Sequence, residues 1–133
     1  MIQSGTASIC SALRAVLPFA NLAQDELEII AQHGKARTYK AGVIILPKAA
    51  IAEMLVVQIG GSAVIEQAGI EHPAPPVFDA AGLLFGLAST GDYTAGLDGL
   101  DALLFAKPHV YTMARECPAF IVGLLHMQES HAR

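Results

Sequence analysis

Apolar positions follow a helical period at both ends of the chain and a period of two in the middle. Over residues 10–18, Leu13, Val16 and Leu17 share one face and predict a short helix. Over 23–33, Leu27, Ile30 and Ala31 recur at i, i+3 and i+4, with Gly34 as the stop. Asp25 and Glu26 fall in the first turn of that helix, where negative charge suits the helix dipole. Ala23 is a poor N-cap, having no side-chain acceptor. From residue 36 the period changes to two, and strands are predicted over 36–40, 43–46, 54–59, 62–67, 76–78 and 101–106. Gly60-Gly61, between two β-rich runs, signals a hairpin. Pro73, Pro75 and Pro76 mark a loop or a sheet edge. Asp98 and Asp101 flank Gly99 in an expected turn ahead of the last strand. Pro108 opens one helix and Pro118 another. On the latter, Phe120, Leu124 and Met127 form one stripe, with Ile121 and Leu125 beside it.

Short strands with Gly and Pro turns, set between terminal helices, point to a mainly β sandwich or barrel. The organisation expected is one domain over residues 1–133, with helices over about 10–33, a β-roll over about 36–106 and C-terminal helices over about 108–131. No internal repeat, low-complexity tract or linker interrupts it.

Composition changes this picture in one respect. Charged residues are 15% of the chain and apolar residues 53%, against about 25% charged in typical domains. With so few charges, apolar surface is left over that an oligomer interface or a neighbouring domain would cover. Alanine supplies much of the apolar count, and alanine tolerates exposure, so the composition is equally met without a partner. The net charge of −4, with no basic cluster longer than Lys35-Ala36-Arg37, argues against nucleic-acid binding. Cys10 and Cys117 form no CxxC pair and read as reduced, packed thiols of a cytoplasmic protein. No signal peptide is recognised, and no apolar run is long enough to span a membrane.

Several segments carry more than pattern. Leu17-Pro18-Phe19-Ala20-Asn21-Leu22 is followed by Glu26-Leu27-Glu28-Ile29-Ile30-Ala31. Then come Tyr39-Lys40-Ala41-Gly42-Val43-Ile44-Ile45 and Met54-Leu55-Val56-Val57-Gln58-Ile59-Gly60-Gly61-Ser62-Ala63-Val64. Gly82-Leu83-Leu84-Phe85-Gly86-Leu87-Ala88-Ser89 follows, and Ala119-Phe120 stands after Pro118. In this order and spacing, over about residues 13–125, they resemble the cyclic-nucleotide-binding domain family, in particular the catabolite-activator-like effector domains of bacterial signalling proteins.

The resemblance implies a jelly roll (a double-stranded β-helix) with flanking N- and C-terminal helices. It implies a non-enzymatic regulatory or sensor domain for signal transduction. The family's phosphate-binding cassette reads roughly Gly-Asp-x-Phe-Gly-Glu-x-Ala/Ser, with an Arg several residues later. Here the glycines and Phe85 are kept, but Leu83 stands for the Asp and Leu87 for the Glu that would hold the ribose. The Arg aligns near Thr90–Thr94, and no Arg occurs between Arg37 and Arg115. Ala49-Ala50 replaces the family's Gly-Asp or Gly-Glu turn. The degenerate site is therefore assigned to Phe85, Gly86, Leu87, Ala88, Thr90 and Thr94. The amides of Gly86, Leu87 and Ala88 are expected to form an anion-binding nest, with Thr90, Tyr93 and Thr94 lining a changed small-molecule pocket. Without a guanidinium to grip two phosphate oxygens, the loss is about 2–5 kcal/mol, roughly 30- to several-thousand-fold in affinity. Weak or no binding of cAMP and cGMP is the expectation, with no cofactor.

Two other classes bear on this sequence. A cupin-like enzyme would share the jelly roll but needs a His-x-His pair with further His and Glu ligands. No two of His33, His72, His109, His126 and His131 stand at i, i+2 or i, i+4, so no metal is expected. No nucleophile motif appears, and Cys117 reads as packing, so no enzyme is expected. A protein-interaction or dimerisation module is the other class. The Phe120, Leu124, Met127 stripe would pair with a second copy or a partner protein, and the competing reading folds it back onto the roll as core.

Overall fold

The structure is a computed structural model, and it describes residues 10, 13, 14, 19 and 22–130, without the side chains of 125–130. Val16 and Leu17 of the first expected helix lie outside the described residues. Cys10, Leu13 and Arg14 have helical backbone.

The second helix, α1 (Gln24–His33), buries Leu27, Ile30 and Ala31 as the pattern requires. Its weak N-cap is offset from within: Glu26 Oε1 accepts the Ala23 N–H at 2.9 Å. Gly34 closes the helix, donating to the Ala31 carbonyl.

Six strands follow: β1 (Lys35–Tyr39), β2 (Ile44–Leu46), β3 (Met54–Gln67), β4 (Ile70–Pro73), β5 (Val77–Phe78) and β6 (Asp92–Ala106). Helix α2 (Ala80–Phe85) lies between β5 and β6. Helices α3 (Lys107–Glu116) and α4 (Pro118–Ser130) complete the described chain. All pairings are antiparallel, in the order β1-β6-β3-β4, with β2 also on β6 and β5 also on β3. This is the jelly-roll class expected, built as an open sheet and not a closed barrel.

Two expected turns are bulges instead. Gly60-Gly61 makes no hairpin: β3 runs through it, and its register on β6 shifts between Gln58 and Gly60 and between Gly61 and Ala63. Gly61 has φ +73, and a Cβ there would strike the Gly99 carbonyl oxygen. Gly99, with φ +75, is itself inside β6, so Asp98 and Asp101 flank an irregularity in a strand, not a turn before one. Facing irregularities of this kind bend both strands, which lets one sheet curl over its own core. The tight turn comes later, at Ala68-Gly69, where both residues have positive φ (52° and 80°) between β3 and β4. That is the requirement of a two-residue type I′ hairpin. Pro73 ends β4 at the outside of the sheet, as a strand proline should.

Alternation divides the long strands between two cores. Leu55, Val57, Leu103 and Phe105 face the helices. Val56, Ala63, Ile65, Leu100, Ala102 and Leu104 face the inside of the roll. The helical side decides the fate of the C-terminal stripe. Phe120 is 0% exposed and Leu124 1%, and the Phe120 ring packs at a tilt against Phe19, with centroids 5.4 Å apart. These two residues are core and do not form an exposed dimer seam, because α4 folds back and contacts α3 and α2. The Met127 side chain lies outside the described residues.

Cys10 and Cys117 belong to the same core as free thiols. Burial pushes both upward from their ordinary pKa, aided by Glu28 beside Cys10 and by Glu26 beside Cys117. A folded-state pKa above the unfolded one gives stability that holds below the ordinary thiol range and is lost as pH rises through the raised value. Denaturant midpoints should therefore fall in the alkaline range, and Cys117→Ala should flatten that fall. An equal fall in the variant would show that this thiol does not contribute. No described helix is long and apolar enough to cross a membrane.

Candidate ligand site

The candidate site begins with a residue the sequence reading missed. Asp79 has left-handed backbone (φ 46°, ψ 51°), is nearly buried, and caps α2 by accepting the Gly82 N–H through Oδ1 at 3.3 Å. Its side chain lies so close to Gly82 that a Cβ on Gly82 would collide with Oδ2. Gly82 is therefore required by the approach of a carboxylate, and its φ is not the reason. Gly82→Ala should cost about 1–3 kcal/mol through this collision, read as a lower urea midpoint. An unchanged midpoint would contradict the close approach. A helix-start signal was present in the sequence: an Asp directly before the apolar run Ala80-Ala81.

Helix α2 ends at Phe85, and Gly86 takes the left-handed C-cap conformation (φ 68°, ψ 35°). The Gly86 N–H donates to the Gly82 carbonyl, and so does the Leu87 N–H, at 3.0 Å. Two of the three amides expected in an anion nest are thus spent on closing a helix. Ala88 is fixed in an isolated bridge with Ile51. Flanking it, Ser89 N–H donates to Ala50 O and Ala49 N–H to Ser89 O, both at 2.8 Å. Ala49 holds φ +72°, at the turn where the resemblance implies a glycine.

The six assigned residues do not converge. Phe85 and Leu87 point to solvent, 63% and 55% exposed. Thr90 Oγ1 accepts from Gln67 Nε2 at 2.6 Å. Thr94 sits in β6 opposite Val64 and Ile44, on the sheet face away from its neighbours Tyr93 and Ala95, which line the inner core. An Arg at Thr94 would leave from the outer face. On the inner face, Phe78 and Tyr93 stack at 4.8 Å between centroids, both buried. The inner face is lined by buried, mostly apolar side chains. Among the described residues no three His, Cys, Asp or Glu side chains converge in a way that could hold a metal ion.

No protein-family model matches the sequence, and no curated protein sequence matches it. Solved structures do match. A cyclic nucleotide-binding domain from Methylobacillus flagellatus KT superposes with a TM-score of 0.75 at 12% identity, over 95% of this chain and 77% of that one. The catabolite activator protein of Thermus thermophilus gives 0.73 at 17%, over 85% of this chain and 56% of that one. The regulatory domain of Toxoplasma gondii PKA, solved with cAMP, gives 0.67 at 15%, over 81% and 44%. This chain thus spans about half the length of the last two. With its open antiparallel roll, its short helix between β5 and β6 and its flanking helices, the chain has the fold of a cyclic-nucleotide-binding domain.

Proposed function

We propose that this chain is a single, non-enzymatic, cytoplasmic regulatory or sensor module that works without anchoring a cyclic nucleotide. One observation carries the reading. In the fold of a cyclic-nucleotide-binding domain, the amides of Gly86 and Leu87 are both committed to the Gly82 carbonyl, and no guanidinium stands between Arg37 and Arg115 to replace them. A cyclic phosphate entering this site would lose water and find neither a nest nor a bidentate cation. The buried Phe78–Tyr93 stack and the mostly apolar side chains of the inner face support the same reading. A ligand that binds only the folded state raises the unfolding temperature in proportion to RT ln(1 + [L]/Kd). The expected result is an unchanged unfolding temperature with cAMP or cGMP at about a hundred micromolar, and a rise of several degrees would oppose the reading.

A second reading rests on a different observation. Phe85, Leu87 and Ile51 are each half-exposed or more, and the Ile51–Ala88 bridge brings the last two near each other. Large apolar side chains grouped in this way mark contact surfaces. In this reading the cassette region binds a partner protein or a second copy of the chain, and the fold serves as an interaction module.

A further inference from the structure

β1 is the outer strand at one end of the sheet. It pairs with β6 along one edge, and among the described residues no strand pairs with its other edge. The stretch of sequence that contains it is basic, although Asp101 of β6 lies directly opposite Thr38. Lys35, Arg37, Lys40 and Lys48 are half of the chain's 8 Lys and Arg residues, and no acid occurs between Glu28 and Glu53, although the whole chain carries −4. Lys35 and Arg37 are two apart, so they share one face of the strand, and both are exposed. Tyr39 is next on that face. Its ring lies 4.6 Å from the Arg37 guanidinium, which orients the cation without neutralising it. The acid opposite β1, Asp101, accepts the Thr38 hydroxyl at 2.9 Å and belongs with Thr38 on the other face.

An open edge offers main-chain donors and acceptors, and alternate cations on it select the side chains of whatever strand is added. Lysines on an edge can equally serve to repel any added strand. The two roles differ for an acidic strand, which this edge attracts while the remainder of the chain, net acidic, repels it. We propose that β1 takes up an acidic, extended segment of a partner protein as an added strand, with alternate carboxylates meeting Lys35 and Arg37. This assignment goes beyond the regulatory reading and needs no ligand in the roll.

The test is fluorescence anisotropy with a labelled peptide of alternating valine and glutamate, about eight residues long, a usual strand length. Saturable binding is expected. Lys35→Glu with Arg37→Glu should weaken it by about tenfold or more, as loss of charge-assisted contacts does. Lys35→Gln with Arg37→Gln should weaken it less, and provides the comparison if the reversed pair fails to fold. The same peptide with a central proline, which cannot complete a strand ladder, should bind far less. No saturation up to about a millimolar, the range of non-specific contact, would overturn the proposal. So would equal binding of the proline peptide, or binding indifferent to both substitutions. Self-association without peptide that the Gln pair abolishes would assign the edge to a second copy and also overturn it.

Discussion

Leu124→Glu should unfold the chain and should not merely split an assembly. Leu124 is 1% exposed and packs in the core shared by α4, α3 and the helix-facing side of the sheet. A carboxylate forced into that position either stays charged without a partner or takes up a proton, and both are unfavourable. The lost apolar burial adds about 2–5 kcal/mol, the usual cost of removing a core leucine. Against a total stability of about 5–15 kcal/mol, the sum removes most or all of the folded population. Circular dichroism and size-exclusion chromatography at room temperature read it directly. A variant that keeps its spectrum and simply halves in mass would return Leu124 to an interface.

Phe78→Ala is the second large effect, expected to cost about 3–5 kcal/mol. Phe78 is 1% exposed and stacks on Tyr93 on the inner face of the roll. Its removal deletes the stack, itself worth about 0.5–1.5 kcal/mol, and leaves an apolar void that its neighbours Val56 and Ala95 are too small to fill. Urea denaturation gives the number. A loss below about 1 kcal/mol would mean that the interior is already open and that Phe78 lines a pocket.

The two long strands show what the sequence conceals. Gly60-Gly61 and Gly99 look like turns because glycine is the commonest turn signal. In the structure they are bulges, and only the approach of Gly61 to the Gly99 carbonyl across the sheet explains them. That contact spans almost forty residues of sequence, so no local pattern contains it. The Ala68-Gly69 hairpin was hidden for the opposite reason, since alanine in a left-handed position gives no signal. Helix α1 was legible because its apolar period is local and complete. The stripe on α4 was legible as a face, but what that face meets is set by tertiary packing against Phe19 and the sheet.

The site divides in the same way. That position 87 holds Leu and that no Arg stands at Thr90–Thr94 could be read from residue identities alone. The direction of the Gly86 and Leu87 amides could not. It follows from the left-handed backbone at Gly86, which stops α2 and turns both amides onto the Gly82 carbonyl.

Calorimetric titration of the chain with cAMP, and separately with cGMP, tests the central claim most directly. The missing guanidinium and the committed amides predict no saturable heat at micromolar nucleotide, with any affinity near the millimolar range that follows from a loss of about 2–5 kcal/mol. Saturable binding of either nucleotide with a dissociation constant of about ten micromolar or tighter would contradict it, for the phosphate would then be held by groups other than those at Gly86, Leu87, Thr90 and Thr94.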